Sequence, residues 1–402
     1  MKQPLLLLCH RIPYPPNKGD KIRSYHLLKH LSESYSIYLG CFIDDPSDWA
    51  YTDVLDELCE ETCFVKLTPG KARAKSIKGL LNGEPLTLPY YFNNRLATWV
   101  EEVSRRKSIT RFLAYSSAMA QYAMYDDNPF NVRIIDFVDI DSDKWRQYST
   151  TKSWPMNWIY RREADRLLEF EKKVAKEFDK GFFVSLAESE MFKRLSPETD
   201  YKIHYYNNGV DTDFFNPGIT LADPYPDSAK PIVFTGAMDY WPNVDAVVWF
   251  AESIMPKLLE TEPQAKFYVV GGNPTDKVKS LAGKDYIEVT GRVEDIRPYM
   301  KHAIVSVAPM RIARGIQNKV LEAMAMARPV IASPQGYEGI TATIDKELYV
   351  ADEVEEWLDK VRQVLTGRAH ETMGRDARER VVHDYSWQGS LSSLGQSLSE
   401  QD

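Results

Sequence analysis

Three side chains in the last quarter of the chain have the types and spacing to hold a phosphorylated ligand. Asn318, Lys319 and Glu322 fall in the first two turns of a helical pattern that Gly315 introduces, inside RIARGIQNKVLEAMAMARPVIAS, residues 311–333. A helix opened by glycine offers backbone N–H groups and the positive end of its dipole to an anion. Residues three apart share a helix face. Lys319 can therefore meet a phosphate while Glu322 accepts from sugar hydroxyls of the same ligand. An amphipathic core helix with a solvated Lys and Glu has the same pattern, and spacing alone does not separate the two. The pattern breaks at Arg328-Pro329 and returns as an apolar strand, residues 330–332.

Other constellations lie just past strand-like runs, where open α/β sheets bind their ligands. The loop HRIPYPPNKGDKIRS follows residues 5–9 and places Lys18, Gly19 and Arg23 at or near the start of a helix. Gly19 lets backbone approach a ligand closely. In IIDFVDIDSDKW, residues 134–145, acids crowd a strand end. Asp139 is the candidate positioned acceptor or base, with Asp141 beside it, and Asp136 is weaker because it lies earlier in the strand. Asp139, Asp141 and Asp143 form D-x-D pairs, as do Asp211 and Asp213. Such a pair can hold a divalent ion, but the pattern is short and chance matches are common. YNNGVDTDF, residues 206–214, carries a turn signal. VFTGAMDYWPNV brings Gly236, and VTGRVED brings Gly291 with Arg292 and Val293. These glycine turns and Gly315 converge on one sheet edge. Gly271-Gly272 is not a dinucleotide fingerprint, since no G-x-G-x-x-G opens a strand–helix unit.

The elements needed to position these residues alternate. Strand-like runs fall at residues 5–9, 36–42, 63–67, 112–115, 132–137, 181–185 and 201–206, with helices at 20–33 and 157–179. After a proline-rich stretch at 216–231, which reads as a linker, runs recur at 232–235, 266–270, 287–290, 305–308, 330–332 and 348–350. Helical patterns cover 244–259 and 316–327 between them. Such alternation predicts α/β architecture with parallel sheets and crossover helices. In 402 residues, 44% of them hydrophobic, there is room for two Rossmann-like domains. The expected divisions are 1–215, 216–385 and a closing segment, 386–402. A net charge of −8 argues against nucleic acid as a partner. The four cysteines, Cys9, Cys41, Cys59 and Cys63, lack the spacing of a zinc site and read as free thiols of a reducing cytoplasm. The run PLLLLC at 4–9 is too short for a signal peptide, and no run is long enough to span a bilayer.

Taken together, KGDKIRS, NNGVDTDFF, FTGAMDYWPN, VGGNP, VTGRVEDIRPY, RGIQNKVLEAMAMARPVIAS and the closing Tyr385-Ser386-Trp387 resemble the GT4-type retaining glycosyltransferases of GT-B fold. More narrowly, DFVDIDSDKW and GIQNKVLEAMA resemble a sugar-transferase group associated with bacterial exopolysaccharide gene clusters. The resemblance implies two Rossmann-like domains facing a central cleft, with a terminal helix crossing back to the first. It implies a nucleotide-diphosphate-sugar donor on the second domain and an acceptor mainly on the first, with no cofactor and no obligatory metal. Glu322 then matches the residue that binds ribose hydroxyls. Gly315, with neighbours such as Ile316 and Asn318, would contact donor sugar or diphosphate. Gly236, Arg292 and Val293 would lie along the donor, and Gly19 would approach the diphosphate. The family's second carboxylate falls at Arg314, and the Arg and Lys it often carries after the first strand of the second domain fall at Ala237 and Asn243. A diphosphate still needs cations. Arg314 and Lys319, with Arg292 or Arg311, are the expected replacements. On this reading Asp139, Lys319 and Glu322 are catalytic candidates, while Lys18, Arg23, Asp139 and Asp141 serve the acceptor side.

Lys66 to Lys78, KLTPGKARAKSIK, holds five basic residues and no acid, ahead of apolar Gly79-Leu80-Leu81. This suits peripheral contact with a membrane surface or a lipid-linked acceptor, as does a solvated loop and helix. A cytoplasmic enzyme, at the inner face of the cytoplasmic membrane through this segment, fits both. The competing readings are another nucleotide-sugar enzyme, such as an epimerase or hydrolase, and a non-catalytic binding or scaffold protein, which Arg314 keeps open.

Overall fold

The computed structural model describes residues 2–16, 18–313, 315–367 and 372–399. Arg314 lies outside the described residues. The chain divides into two compact units: residues 1–209 with 390–402, and residues 210–389.

The first unit is built on a seven-stranded parallel sheet. Its strands are β1 (Gln3–Cys9), β2 (Tyr35–Ile43), β3 (Glu61–Lys66), β4 (Arg111–Tyr115), β5 (Val132–Val138), β6 (Lys180–Phe183) and β7 (Ile203–Tyr205). They lie in the order β3-β2-β1-β4-β5-β6-β7. A parallel sheet covered on both faces buries its central strands completely, and Leu5 to Cys9 are fully buried. Helices Gly19–Ser34, Pro69–Asn82, Asn94–Arg106, Asp141–Thr151 and Met156–Glu177 are the longest in this unit. Ser397 and Leu398 of the last helix, Trp387–Ser399, meet Lys180 and Arg111 of the same unit. All four cysteines are free.

The second unit repeats the topology on six parallel strands. These are β8 (Lys230–Thr235), β9 (Ala265–Val270), β10 (Ile287–Gly291), β11 (Val305–Ala308), β12 (Val330–Ala332) and β13 (Tyr349–Val350), in the order β10-β9-β8-β11-β12-β13. Both sheets are α/β, as the alternation implies.

Three local differences from the sequence reading have physical causes. The helix expected at 244–259 runs from Trp241 to Leu259 but widens into a π-helical turn at Phe250–Ile254. Pro256 follows that turn, and a wider turn absorbs its missing N–H and its ring. The helix expected at 316–327 is shorter, Asn318–Ala325. Gly315 takes a left-handed φ of 67°, Gln317 is extended, and Ala327 turns out of the helix ahead of Arg328-Pro329. The stretch read as a linker is held by the second unit. Tyr225 is buried with its hydroxyl donating to Tyr299 O at 2.6 Å, and Lys301 and His302 bond the carbonyls of Ile219 and Leu221.

Candidate functional site

Each sheet has a topological switch point, between β1 and β4 and between β8 and β11. There the connections leave in opposite directions and open a crevice beyond the carboxyl ends of the strands. The candidate residues of each unit gather at that edge.

In the second unit the edge is made of backbone. Gly236 N donates to Val270 O at 3.1 Å, Gly271 N to Gly291 O at 3.2 Å and Met238 N to Gly272 O at 2.8 Å. A Cβ on Gly271 would stand 1.7 Å from Gly236 O, so only glycine lets these turns close up. Directly beside Gly236 sits the ammonium of Lys319, 3.4 Å from where a Cβ of Gly236 would be. Asn243 Oδ1 accepts a short hydrogen bond from Lys319 Nζ, and Asn243 Nδ2 donates to Ala237 O at 2.9 Å. Met310 Sδ at 3.7 Å and the Phe234 ring at 4.4 Å complete the surroundings. Glu322 is on the same helix face, one turn on.

Burial acts on both charges. It pushes the Lys319 ammonium down to about 8, the nearby Glu322 carboxylate opposing it. It pushes the Glu322 carboxyl up to about 7, against the pull of Lys319. Two groups with opposed shifts near neutrality are characteristic of functional positions, though structural pairs show them too. The helix start is open as well. The cap residue Gln317 does not close it with its side chain, whose amide turns to Gly315 O at 3.0 Å. A Cβ at Gly315 would meet nothing within 4 Å. Asn318 is exposed, Ile316 and Val293 are half-buried, and Arg292 is exposed at the end of β10. Arg311, one expected cation, is instead tied to Asp245 at 2.9 and 2.5 Å.

In the first unit a cavity of 930 Å³ lies past the ends of β1, β4 and β5. Polar residues that line it include His10, Asp20, Ser116, Asp139, Asp141 and Lys144, and apolar ones include Leu80, Leu86, Tyr91 and Ile159. Asp139 pairs with Lys144 at 2.7 Å, and Lys144 reaches Asp141 at 3.4 Å. Burial alone would lower the Lys144 ammonium; the two carboxylates push it up to about 12. The D-x-D residues are thus bound to side chains, with Asp143 accepting from Gln147 at 2.6 Å. Asp211 accepts from the backbone of Asp213 and Phe214 and shapes a turn. Among the described residues no group of three potential ligands could hold a metal ion.

Asp20 receives Arg11 at 2.6 Å, and Arg11 also grips Asp44 at 2.9 and 3.1 Å. Burial opposes ionisation of Asp20, but His10 and the Arg11 charge hold its carboxyl well below the usual range. The His10 ring stacks on Tyr115 at 5.7 Å, with Nε2 3.7 Å from the Asp20 carboxylate.

The structure brings Asp139 and Asp141 into one cavity and Gly236, Lys319 and Glu322 to one edge. Lys18 and Gly19 are exposed at the start of their helix, and the next residue, Asp20, lines the cavity. Arg23 is a correction: it is 1% exposed and its donors are taken. Asp136 holds it at 2.9 and 3.2 Å, Tyr206 O at 3.0 Å and Asn208 at 3.1 Å, while the Tyr206 hydroxyl also donates to Asp136. A helix packed on the sheet turns this arginine inward, where an uncompensated charge is untenable. Three residues escaped the sequence reading. His10 is the first residue past β1 and Asp20 adjoins Gly19, so the strand-end rule would have found both. In the sequence Asn243 stands only where the family often carries a cation; its service to Lys319, 76 residues away, leaves no local signal.

Residues 229–367 match the family model described as glycosyl transferases group 1. A comparison with curated proteins returned no match. Among solved structures, sucrose-phosphate synthase from Thermosynechococcus elongatus is 18% identical, with a TM-score of 0.65 and 99% of each chain covered. A glycosyltransferase from Rickettsia africae is 14% identical at a TM-score of 0.65, covering 99% of this chain and 98% of that one. The Anabaena protein HepE, solved in complex with UDP-glucose, is 13% identical at 0.61, covering 98% and 99%. The fold is therefore that of the GT-B glycosyltransferases, an α/β architecture with two Rossmann-like domains. Within that class, the second unit carries a glycosyl transferases group 1 domain, and the protein is a glycosyltransferase.

Proposed function

We propose that the protein moves a sugar from a nucleotide-diphosphate donor to a glycan or lipid-linked acceptor, with retention of anomeric configuration, as a GT4-type enzyme. One observation carries this reading: Asn243 holds the Lys319 ammonium beside the Gly236 turn, one helical turn from Glu322. A diphosphate on this edge would meet Lys319 and the uncapped helix N–H groups, with Arg292 and Arg314 as further cations. Glu322 would accept from ribose hydroxyls. HepE, solved with UDP-glucose on the same fold, supports a nucleotide sugar as donor. As the glycosidic bond breaks, negative charge grows on the departing diphosphate, and preorganised donors that favour that charge lower the barrier. The nucleotide sugar is substrate, and the reading assigns the protein no resident cofactor.

The first unit's cavity would take the acceptor, with Asp139, Asp141, Asp20 and His10 facing its hydroxyls. Lys66 to Lys78 would contact the membrane from the cytoplasmic side. The resemblance of DFVDIDSDKW to its exopolysaccharide-associated counterparts supports a role in cell-surface polysaccharide synthesis.

Incubation with a panel of nucleotide sugars, with and without a mixed glycan and lipid-linked acceptor pool, tests the reading. A glycosylated acceptor of retained configuration is expected only when both are present. An epimerised donor, or free sugar formed at the same rate without acceptor, would replace this reading with the epimerase or hydrolase. Nucleotide binding without turnover would leave a scaffold.

A further inference from the structure

The chain has a net charge of −8, yet two of its acid-free stretches carry five cations each. Residues 66–82 contain Lys66, Lys71, Arg73, Lys75 and Lys78; residues 144–162 contain Lys144, Arg146, Lys152, Arg161 and Arg162. The fold joins them. Arg162 donates to Gly79 O at 2.8 Å and to Glu84 O at 3.1 Å, fastening helix Met156–Glu177 to the end of helix Pro69–Asn82. Ile77 and Met156 line the same cavity.

Large apolar side chains are exposed on both joined helices and on the turn before the second. Ile77 is 59% exposed, Met156 40%, Trp158 57% and Trp154 80%. Trp154 lies in the turn between helices Asp141–Thr151 and Met156–Glu177, and Trp158 in the first turn of the latter. Single exposed apolar residues are ordinary, but a group of large ones marks a contact surface. Lys71, Arg73, Lys152 and Arg161 are exposed, and none of the four forms an ion pair with a described residue. Four of the other cations have partners: Lys144 pairs with Asp139, Arg146 with Asp165 at 3.0 Å, Lys75 donates to Phe92 O at 2.7 Å and Arg162 to Gly79 O.

Tryptophan flanked by Lys and Arg suits one environment above others, the headgroup level of a bilayer. The charge complement of Lys71, Arg73, Lys152 and Arg161, exposed and without an ion-pair partner among the described residues, is an anionic leaflet. We infer that Ile77, Trp154, Met156 and Trp158, exposed on the two joined helices and on the turn before the second, seat the protein on an anionic phospholipid bilayer. The inference rests on the membrane contact proposed for Lys66 to Lys78, and adds the tryptophan turn as its inserted part. It also orients the acceptor. The side of the cavity that Ile77 and Met156 line is then the side at the bilayer, and Asp20 and Asp139, at the strand ends, receive the sugar of a lipid-borne acceptor.

Flotation of the full chain with phosphatidylcholine vesicles, with and without phosphatidylglycerol, tests this. Binding is expected only to the phosphatidylglycerol vesicles, and should weaken as salt screens these cations. Trp154→Ser with Trp158→Ser should lower the partition coefficient by roughly tenfold for each large side chain withdrawn from the apolar phase, about 100-fold together. Both residues are exposed, and an unchanged melting temperature would confirm that the variant is folded. Wild-type partitioning of the folded double variant overturns the inference. If Lys71→Gln with Arg73→Gln then abolishes binding, the contact through Lys66 to Lys78 survives without the inserted turn. If the wild type binds neither vesicle, both fall.

Discussion

At the scale of single residues, the account turns on two charges that burial has moved toward each other. Lys319 loses its proton as pH rises through about 8, and Glu322 loses its own as pH rises through about 7. Diphosphate binding wants the ammonium charged, which favours pH below the Lys319 value. Acceptance from ribose hydroxyls wants the carboxylate ionised, which favours pH above the Glu322 value. The kcat/KM for the donor should therefore rise through about 7 and fall through about 8, the two limbs belonging to the coupled pair. Lys319→Ala should lower kcat/KM by roughly 10- to 100-fold, the range of one charge-assisted hydrogen bond, and remove the alkaline limb. A profile flat across this interval in the wild type would contradict the roles given to both residues. Sequence showed these two residues because positions three apart on a helix are bound to share a face. It did not show Asn243, whose meaning comes only from folding β8 against the helix that carries Lys319.

At the scale of elements, the buried cluster of Arg23, Asp136 and Tyr206 ties helix Gly19–Ser34 to the ends of β5 and of the strand before the second unit. Asp136→Ala would leave the Arg23 guanidinium buried without its counter-ion. Urea unfolding should show the first unit destabilised by about 3–5 kcal/mol; a change below about 1 kcal/mol, within the usual range of an exposed pair, would mean that water reaches Arg23. The strands themselves were legible because buried parallel strands read as short continuous apolar runs. Helix ends were less so. Gly315 and Gln317 delay the start of the Lys319 helix, and Pro256 is accommodated by a wider turn instead of ending its helix. The Arg23 pairing was illegible: its carboxylate lies 113 residues away, and nothing local distinguishes an inward arginine from a ligand-binding one.

At the scale of the molecule, one sheet topology serves twice, with a backbone-lined edge holding the half-buried Lys319 in the second unit and an acid-lined cavity in the first. That division of chemistry fits an anionic donor on one unit and a hydroxyl-bearing acceptor on the other. Alternating strands and helices made both units legible, and the resemblance of scattered loops gave the class; the cavity appeared only once His10, Asp20, Asp139 and the helix Pro69–Asn82 were in place. The claim beneath all of this is that Lys319 and Glu322 form a nucleotide-diphosphate site. Isothermal titration calorimetry of the wild type and Lys319→Ala against a panel of nucleoside diphosphates measures it directly. At least one should bind the wild type, and Lys319→Ala should bind that one roughly 10- to 100-fold more weakly. A wild type that binds none, or a variant that binds equally well, would contradict the account.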